Sequence, residues 1–346
     1  MTYPLISIAI ATYNSEATLS KVLFSIINQK YPSSKVEVLI IDGGSTDSTL
    51  SIARKYKCRI FNNLHGDFVH AKNMGYNLAK GEYLVFLDSD EELVNRSSLK
   101  HKLSAMNKNE NIRIVLSSGY KKPINYPDIN FYVNDYGDPF SFFMYRCPRD
   151  YRFFLDDLKR KYNVVDEDEE SIVFDFSMLE NLPFIELTSM GVMIDLTYVK
   201  ITFPEVFTEL STYFHLFYLI NSKKNLIAAT KNDDVIHYSV QSFKKYLNKL
   251  SSRINSNIFG IGMGEAGFKG REKFYSYSYR FKKIFFIPYA LTIVLPLYDS
   301  ISLSLSRKKI IYMTHFFLSF YTVFFLLYFS FLKLFGFKAR LFRYGK

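Results

Sequence analysis

The chain has 346 residues and a formal net charge of +11, and 48% of its residues are hydrophobic. This composition excludes a disordered, collagen-like or disulfide-framework protein, and two cysteines, Cys58 and Cys147, favour a reducing compartment. Residues 281–346 hold ten Lys/Arg and one acid, so the first 280 residues are nearly neutral. A near-neutral body with a basic, apolar tail argues against a nucleic-acid partner and favours an anionic membrane surface.

The first third of the chain alternates strand and helix patterns, which is typical of a parallel α/β sheet. Its opening apolar run lacks a basic n-region, so the pattern predicts a strand and not a signal peptide. A helix is predicted after Asn14 and another over Asp67–Ala79. Strands are predicted at Leu5–Ala11, Val36–Ile41, Cys58–Phe61, Glu82–Leu87 and Ile112–Ser117.

The middle of the chain is less regular. Residues 120–186 are rich in Tyr and Phe, and we interpret their acidic run, Asp166–Glu170, as a solvated loop. The strand-then-helix pattern returns at 188–219. An apolar stripe over 240–253 predicts an amphipathic helix that rests either on a membrane surface or on the protein core. The Gly-rich stretch 260–270 lacks the Gly-Lys-Ser/Thr ending of a phosphate loop, so we interpret it as a connector or a mobile flap.

The tail contains two apolar segments. Ile310–Leu332 is 23 residues without Asp, Glu, Lys or Arg, which is long enough to span roughly 30 Å of hydrocarbon as a helix. Ile284–Tyr298 is shorter and is interrupted by Pro288 and Pro296, so it predicts a second span or a re-entrant or interfacial helix. The alternative for both is a buried helix pair, but their basic flanks favour membrane headgroups.

Polar residues follow three of the predicted strands. Thr12-Tyr13-Asn14 follows the first, Asp42 the second, and Asp88-Ser89-Asp90 the fourth. The carboxyl ends of parallel strands share one edge of a sheet, where ligands bind. Residues two apart in an extended chain face the same side, so both carboxylates of the Asp-Ser-Asp run are expected to point into that crevice. Such oxygen ligands suit Mg²⁺ or Mn²⁺.

Four motifs in this order resemble family 2 glycosyltransferases with the GT-A fold: Ser7–Asn14 (SIAIATYN), Val38–Asp47 (VLIIDGGSTD), His70–Gly75 (HAKNMG) and Ala79–Asp90 (AKGEYLVFLDSD). The resemblance is dense over residues 5–92 and loose over about 186–240. It implies a mixed, Rossmann-like sheet, a nucleotide-diphosphosugar donor, an inverting transfer and a Mg²⁺ or Mn²⁺ cofactor.

The resemblance also implies roles for single residues. Ala11 and Tyr13 would line the pocket for the nucleobase, and Asp42 would accept a hydrogen bond from it. Asp88 would face the ribose or the diphosphate, and Asp90 would bind the metal ion.

Two of these assignments have structural alternatives. Tyr13 is either a wall against the nucleobase or a half-buried packing aromatic. Asp42 is either a ligand-binding residue or part of a helix-capping turn, and the sequence favours the first because Ser45 or Thr46 already supplies a cap.

The remaining site residues match the family less closely. Lys72 stands where the family often has Arg, which would keep a positive charge near the donor phosphates without a bidentate fork. His237 resembles a family histidine near the diphosphate, with a satisfied core histidine as the alternative. Glu209 is the candidate general base and Glu205 the reserve, although the family's Glu-Asp pair is broken here by a leucine. Gly191 resembles the small residue that precedes this segment.

The sequence therefore predicts a GT-A domain over 1–240 with an acceptor-side insert at 120–186. An amphipathic helix and linker at 241–280 and membrane-associated helices at 281–346 follow. The expected function is transfer of a sugar from a UDP- or GDP-sugar to a lipid-linked acceptor, with the catalytic domain on the cytoplasmic side of the cell membrane. The alternatives are a membrane-tethered transferase acting on a polysaccharide or protein glycan, an inactive nucleotide-sugar-binding module, and a nucleotidyltransferase.

Overall fold

The computed structural model describes residues 3–179, 183, 185–210, 212–260 and 268–337. Its strands are β1 (Ile6–Thr12), β2 (Val36–Asp42), β3 (Arg59–Asn62), β4 (Tyr83–Asp88), β5 (Glu91–Leu93), β6 (Ile112–Leu116), β7 (Tyr120–Lys121), β8 (Asn163–Glu167), β9 (Ser171–Asp175), β10 (Val192–Asp195), β11 (Leu226–Thr230) and β12 (Val235–His237).

The α-helices in the same residues are α1 (Glu16–Ile27), α2 (Thr49–Lys55), α3 (Phe68–Leu78), α4 (Ser98–Met106), α5 (Ile129–Tyr136), α6 (Pro139–Tyr145), α7 (Phe154–Lys161), α8 (Leu196–Thr202), α9 (Glu205–Thr208), α10 (Leu216–Ser222), α11 (Phe243–Phe259), α12 (Phe268–Arg271), α13 (Tyr277–Lys282), α14 (Phe286–Leu291), α15 (Val294–Arg307) and α16 (Thr314–Leu334).

A nine-stranded mixed sheet with the order β3-β2-β1-β4-β10-β6-β11-β9-β8 forms the centre of the fold. Strands β3, β2, β1 and β4 are parallel, and β10 runs antiparallel to both β4 and β6. The five strands predicted from the sequence are present, each within about two residues of its expected bounds. A smaller sheet, β5-β12-β7, lies next to the end of β4.

The predicted strands form because their apolar runs are buried on both faces of the sheet. Ile8, Ile10 and the four residues Leu84–Leu87 are at most 1% exposed, as expected for central parallel strands. Helix α1 buries Leu19, Val22, Leu23 and Ile26 against this core at helical spacing. The buried core therefore fixes the position of the strand ends where the polar residues lie.

The 120–186 segment is more regular than the sequence suggested. It contains α5, α6 and α7 and the hairpin β8–β9, which extends the main sheet at its edge. The interpretation of the acidic run as a loop is wrong for its first two residues, because Asp166 and Glu167 belong to β8. They are exposed on the edge strand, where charges discourage pairing with another chain.

A second apolar cluster joins this insert to the tail. It buries Tyr132 of α5, Tyr246 and Leu250 of α11, and Leu303 and Leu318 of α15 and α16. The apolar stripe of α11 is thus covered by protein, which supports the core alternative for the 240–253 helix. This cluster also joins residues on both sides of the domain boundaries that the sequence predicts. Those boundaries stay a prediction.

The tail helices are joined to the insert by buried polar groups as well. His315 of α16 hydrogen-bonds the hydroxyls of Tyr132 (2.6 Å) and Tyr289 (2.8 Å). Tyr289 also donates to Asp299 at 2.9 Å, and Asp299 pairs with Arg146 at 3.0 Å. A buried polar chain of this kind fixes how the helices dock, because each member would be costly to leave unpaired.

In the described residues, one helical stretch, Ile310–Leu334, is long and apolar enough to cross a membrane, with a mean hydropathy of 1.8 over its most apolar window. The helices before it form a pair bent by 90° between Tyr277–Leu291 and Val294–Arg307. The bend lies at Ile293, whose φ is +62°, and not at either proline. Length and composition are the only support for a span here, and a third of the apolar window is buried inside the protein.

Candidate active site at the strand ends

The parallel register brings the predicted polar residues to one edge of the sheet. Thr12 is aligned with Asp42, and Ala11 is aligned with Asp88. Ala11 and Tyr13 are both partly exposed at this edge. The structure therefore brings the ends of β1, β2 and β4 together as the sequence predicts.

Asp42 is 2% exposed and its carboxylate accepts hydrogen bonds from inside the protein. The donors are the Thr12 hydroxyl (2.9 Å), the amides of Gly44 (3.0 Å) and Ser45 (2.8 Å), and the Ser45 hydroxyl (2.5 Å). Four hydrogen bonds fill the acceptor capacity of a carboxylate. A nucleobase would therefore bind Asp42 only by displacing one of these donors, and the Ser45 hydroxyl is itself held by the Asn14 amide at 2.8 Å.

The expectation that Ser45 or Thr46 caps the following helix is wrong. The residue before α2 is Ser48, and its side chain makes no capping hydrogen bond. Asp42 itself closes the turn, as Asp side chains do with amides two and three residues onward. Asn14 then joins the two loops, because its Oδ1 accepts from the Thr46 amide at 2.8 Å.

The Asp-Ser-Asp run is not extended throughout. Strand β4 ends at Asp88, and Ser89 and Asp90 form a turn, so the premise of an extended chain over all three residues is wrong. Helix α1 holds this turn from the other side: Thr18 Oγ1 donates to the Ser89 carbonyl at 2.7 Å, and the Ser15 and Ser89 hydroxyls are 2.8 Å apart.

Lys72 lies under Asp88. Its side chain is 4% exposed, and its Nζ lies 2.5 Å from Asp88 Oδ1 and also donates to the carbonyl of Thr188. Asp88 keeps 40% of its side chain exposed, so one carboxylate edge stays open to a ligand. Lys72 thus acts on that ligand through the orientation and charge of Asp88.

Asp90 lies deeper in the cleft and makes one close approach, 3.7 Å from its Oδ2 to His237 Nε2. Burial raises the pKa of Asp90 to about 6; the positive charge of Lys249 opposes this shift, and the charge of Asp88 adds to it. Two carboxylates held this close while partly desolvated repel one another. A cation between them would relieve that cost.

His237 is the last residue of β12. Its Nδ1 donates to Asn134 Oδ1 at 2.9 Å, and its ring stacks on Tyr120 with centroids 4.6 Å apart. Burial lowers the pKa of His237 well below its usual value, with Lys249, Arg149 and Arg253 lowering it further. The ring is therefore neutral, and the lone pair of Nε2 faces Asp90.

Asp88, Asp90 and His237 fit a divalent cation that takes its remaining ligands from a bound substrate. Among the residues that the structure describes, no group of three or more His, Cys, Asp and Glu side chains is placed to hold a metal ion alone. Asp90 and His237 Nε2, with the exposed edge of Asp88, supply oxygen and nitrogen donors that suit Mn²⁺ or Mg²⁺. Phosphate oxygens and water would complete the coordination.

Glu91 is a site residue that the sequence analysis missed. It is fully buried, and its carboxylate accepts from the amides of Asp88 (3.0 Å) and Met190 (2.8 Å) and from the Tyr120 hydroxyl (2.5 Å). Burial raises the pKa of Glu91 to about 8, and the charge of Asp88 adds to the shift. Nothing in the sequence marks it, because β5 has only three residues and two of them, Glu91 and Glu92, are the same residue type.

The Met190-Gly191 turn packs against Glu91 and the end of β4. Both residues have positive φ, +59° and +62°. A Cβ on Gly191 would lie 3.0 Å from Leu93 Cδ2 and 3.3 Å from Ser117 Oγ. Glycine is therefore favoured here because it adopts a positive φ without strain and because a side chain would be crowded.

The structure does not bring the predicted base to this centre. Glu209 is exposed after α9, and its carboxylate accepts from Thr212 Oγ1 at 2.8 Å. Glu205 is partly buried at the start of α9, which packs on α3. In the described part of the chain, neither side chain forms a hydrogen bond or ion pair with Asp88, Asp90 or His237.

Comparison with known proteins agrees with the geometry. The family model "Glycosyl transferase family 2" matches residues 7–182, which is half of the chain. The chain is 36% identical over 102 residues to the poly(ribitol-phosphate) beta-glucosyltransferase of Bacillus spizizenii, covering 28% of this chain and 16% of that protein. It is 37% identical over 97 residues to glycosyltransferase AglE of Haloferax volcanii, covering 26% of this chain and 31% of that protein. The chain thus spans less than a third of either relative.

A solved structure of similar fold is the mannosyltransferase PcManGT of Pyrobaculum calidifontis, in complex with GDP-Man and Mn²⁺. The superposition covers 96% of this chain and 88% of that one, with a TM-score of 0.51 and 14% sequence identity. This likeness confirms the predicted mixed α/β fold of the GT-A type followed by C-terminal helices. With the motifs and the strand-end site, the match over half the sequence shows that the chain belongs to glycosyl transferase family 2.

Proposed function

We propose that this protein is a metal-dependent, inverting glycosyltransferase that uses a nucleotide-diphosphosugar donor. One observation carries the proposal: at the strand ends of a family 2 domain, His237 Nε2 lies 3.7 Å from Asp90 Oδ2, two residues after Asp88 at the end of β4. PcManGT, of similar fold, was solved with GDP-Man and Mn²⁺, and this supports the choice of a UDP- or GDP-sugar and of Mn²⁺ or Mg²⁺.

In this proposal the loops after β1 and β2 bind the nucleoside. Tyr13 and Ala11 line the pocket, and Asp42 receives the base in place of one of its four present donors. Asp88, held by Lys72, faces the ribose or the diphosphate. The Asn134 hydrogen bond fixes the His237 ring so that Nε2 points toward Asp90 and the diphosphate.

A divalent cation held by Asp90, His237 and the exposed edge of Asp88 would neutralise charge that builds up on the leaving diphosphate, a contribution of several kcal/mol to the transition state. Glu91 keeps the Asp-Ser-Asp turn in place through the Asp88 amide. Glu209, with Glu205 in reserve, is the general base of this proposal when the acceptor is a hydroxyl, and it would have to reach the centre on acceptor binding.

The acceptor is proposed to be lipid-linked, and the domain to work at the cytoplasmic face of the cell membrane. The support is the apolar Ile310–Leu334 helix, its basic flanks, and large apolar side chains left exposed on the tail. Those side chains include Ile284, Phe285, Leu291, Val294, Leu295, Tyr298, Phe324, Leu327, Phe331 and Leu334. Large apolar side chains left exposed along one segment favour a membrane or protein contact there.

Incubation of the detergent-purified full chain with a panel of UDP- and GDP-sugars and membrane lipid tests the proposal. We expect release of nucleoside diphosphate from one donor, loss of that release in excess EDTA, and loss of it in Asp90→Asn. Asp156→Asn, an exposed aspartate on α7, is the matched control and should keep full activity. An Asp90→Asn protein with wild-type turnover would contradict the proposed site. A wild-type protein that binds a nucleotide-sugar but releases no nucleoside diphosphate would favour the inactive nucleotide-sugar-binding module.

A further inference from the structure

Helix α16 buries its polar side chains and exposes its apolar ones. Three polar residues are at most 2% exposed: His315, Ser319 and Thr322. Four aromatic residues are between 46% and 62% exposed: Phe317, Phe324, Tyr328 and Phe331. At 3.6 residues per turn these two sets lie on opposite sides of the helix. A helix on the surface of a soluble protein has the reverse arrangement, so the outward face of α16 is suited to an apolar medium.

Helix α15, which packs on α16, shows the same reversal. Its buried residues include Asp299 and Ser300, and Asp299 is paired inside the protein. Tyr298, Ile301 and Leu305 on the same helix are exposed. The segment before α15 also exposes apolar residues, as described above for the tail. Apolar side chains therefore point outward along the described tail helices from α13 to α16.

The charge of the tail favours lipid over a second copy of the chain as the partner of this surface. Lys308 and Lys309 lie between α15 and α16, and Lys333 lies near the end of α16. Residues 281–346 carry ten Lys/Arg and one acid, so a second tail would bring the same positive charge to the contact. Anionic headgroups carry the opposite charge and lie directly beside hydrocarbon.

Helix α11 lies beside α16 for most of its length. At one end the rings of Phe243 and Phe317 are 6.3 Å apart, and at the other Lys333 donates to the Ile258 carbonyl at 2.5 Å. The stretch of α16 between Phe317 and Lys333 is about 24 Å long, which is most of the roughly 30 Å thickness of bilayer hydrocarbon. Helix α11 must therefore share whatever depth and angle α16 takes in a membrane.

The surface of α11 is too polar to enter hydrocarbon. Five polar residues are exposed along it: Lys244, Lys245, Asn248, Arg253 and Asn257. Arg253 lies ten residues after Phe243, about 15 Å along the helix, so a spanning α16 would carry it close to the bilayer centre. Charged side chains at that depth are costly and face a bundle interior or a water-filled cavity, whereas Arg253 is exposed.

Too few residues follow α11 for the chain to cross a membrane and return. Helix α11 ends at Phe259, beside the end of α16. Phe268, nine residues later, has its ring 5.3 Å from that of Phe140 in α6, and α6 packs at the start of α16, where the Phe142 ring is 4.6 Å from His315. A helical crossing takes about 20 residues, and an extended crossing leaves backbone polar groups unpaired in lipid. Both ends of α11 therefore belong on one side of the hydrocarbon.

We propose that the tail helices bind one leaflet of an anionic membrane side-on, with α16 parallel to the membrane plane. This inference rests on the membrane attachment in the proposed function, and it replaces the span that the length of Ile310–Leu332 predicts. The exposed aromatic face of α16 enters the outer hydrocarbon, as interfacial helices do to a depth of about 5–10 Å. The cations of α11 stay among headgroups or in water.

This orientation holds the sheet domain against the membrane surface. The hydrogen bond between His315 and Tyr132 and the pairing of Asp135 with Arg307 join the tail to the insert. The insert in turn extends the main sheet through the β8–β9 hairpin. A tail lying flat on a leaflet therefore keeps the sheet domain at a fixed height above the lipid.

The depth of single tryptophans in a bilayer tests the inference. The chain contains no tryptophan, so Phe324→Trp and Phe335→Trp each introduce one fluorescent probe, and both positions are exposed. The full chain is reconstituted in phosphatidylcholine–phosphatidylglycerol vesicles, and lipids brominated at different acyl carbons report the depth by quenching. We expect the two probes to lie within about 3 Å of the same depth, in the outer part of one leaflet. Phe24→Trp, exposed on α1, is the matched control and should not be quenched.

The two positions are about 16 Å apart along the helix direction, so a spanning helix separates them in depth. A Phe324→Trp probe near the bilayer centre, with Phe335→Trp at least ~10 Å shallower, would overturn the inference in favour of a span. No quenching of either probe would overturn it too, and would also remove the membrane from the proposed function. Neither result affects metal-dependent release of nucleoside diphosphate in detergent, which tests the transferase separately. Phe331→Trp, on the same exposed face, replaces Phe335→Trp if that variant does not fold.

Discussion

Replacing Arg307 with methionine should weaken the packing of the insert (residues 120–186) against the tail helices and so destabilise the protein. Asp135 of α5 has a fully buried carboxylate, which accepts from the Arg307 Nε at 3.1 Å, the Tyr312 hydroxyl at 3.0 Å and the Asp150 amide at 3.4 Å. Arg307 and Tyr312 come from the tail. Arg307→Met leaves a buried carboxylate without its cation, and this typically costs about 3–5 kcal/mol.

At about 2.1 cal/mol/K of unfolding entropy per residue, a loss of that size should lower the midpoint of thermal unfolding of the 346-residue chain by roughly 4–7 °C. Arg160→Met is the matched control: Arg160 pairs with Asp157 while 75% exposed, and surface pairs contribute about 0–1 kcal/mol. Thermal unfolding of the full chain in detergent, followed by circular dichroism, measures both variants.

The pH dependence gives a second readout. Burial raises the pKa of Asp135 to about 6, Arg307 opposes the shift, and Asp150 adds to it. Removing Arg307 raises this pKa further, so the folded variant takes up a proton more readily than the unfolded chain does. The stability deficit of Arg307→Met should therefore shrink as the pH falls from 7 to 5. A deficit below 1 kcal/mol at pH 7, or one that grows on acidification, would refute the reasoning.

Three further outcomes follow from the site. Gly191→Ala should cost about 1–3 kcal/mol, because φ is +62° and a Cβ would lie 3.0 Å from Leu93, and chemical denaturation measures the loss. Gly44→Ala should cost less, because Gly44 also has a positive φ (+92°) but a Cβ there would meet nothing within 4 Å. Glu91→Gln should keep donor binding, since an amide oxygen still accepts the Asp88 amide, whereas Glu91→Ala should weaken donor binding at least tenfold. Glu209→Gln should leave the transfer rate within about threefold; a loss of ~10²–10⁴-fold with intact nucleotide binding would identify a hydroxyl acceptor.

The central strands could be predicted because their local signal is strong. β1 and β4 are short apolar runs buried on both faces, and polar residues follow each at the point where the strand ends. The parallel arrangement then fixes that Thr12, Asp42 and Asp88 share an edge. Nothing in that step needs knowledge of distant contacts.

The rest of the site depends on contacts between distant residues. The strands β5, β7 and β12 are only two or three residues long, so no periodicity marks them. Glu91 and Glu92 are identical in sequence, yet only Glu91 is buried, because Tyr120 and the Met190 amide meet it there. Helix α11 shows its amphipathic pattern in the sequence, but the pattern does not reveal that α16 covers its apolar face.

The central claim is that Asp90 and His237 make nucleotide binding depend on a divalent cation. The most direct test is the dissociation constant of UDP and GDP for the full chain, measured by titration calorimetry with Mn²⁺ and with EDTA. We expect at least tenfold tighter binding of one nucleotide with Mn²⁺ in the wild type and in Asp156→Asn, and no Mn²⁺ dependence in Asp90→Asn. Equal Mn²⁺ dependence in Asp90→Asn and wild type would contradict the account.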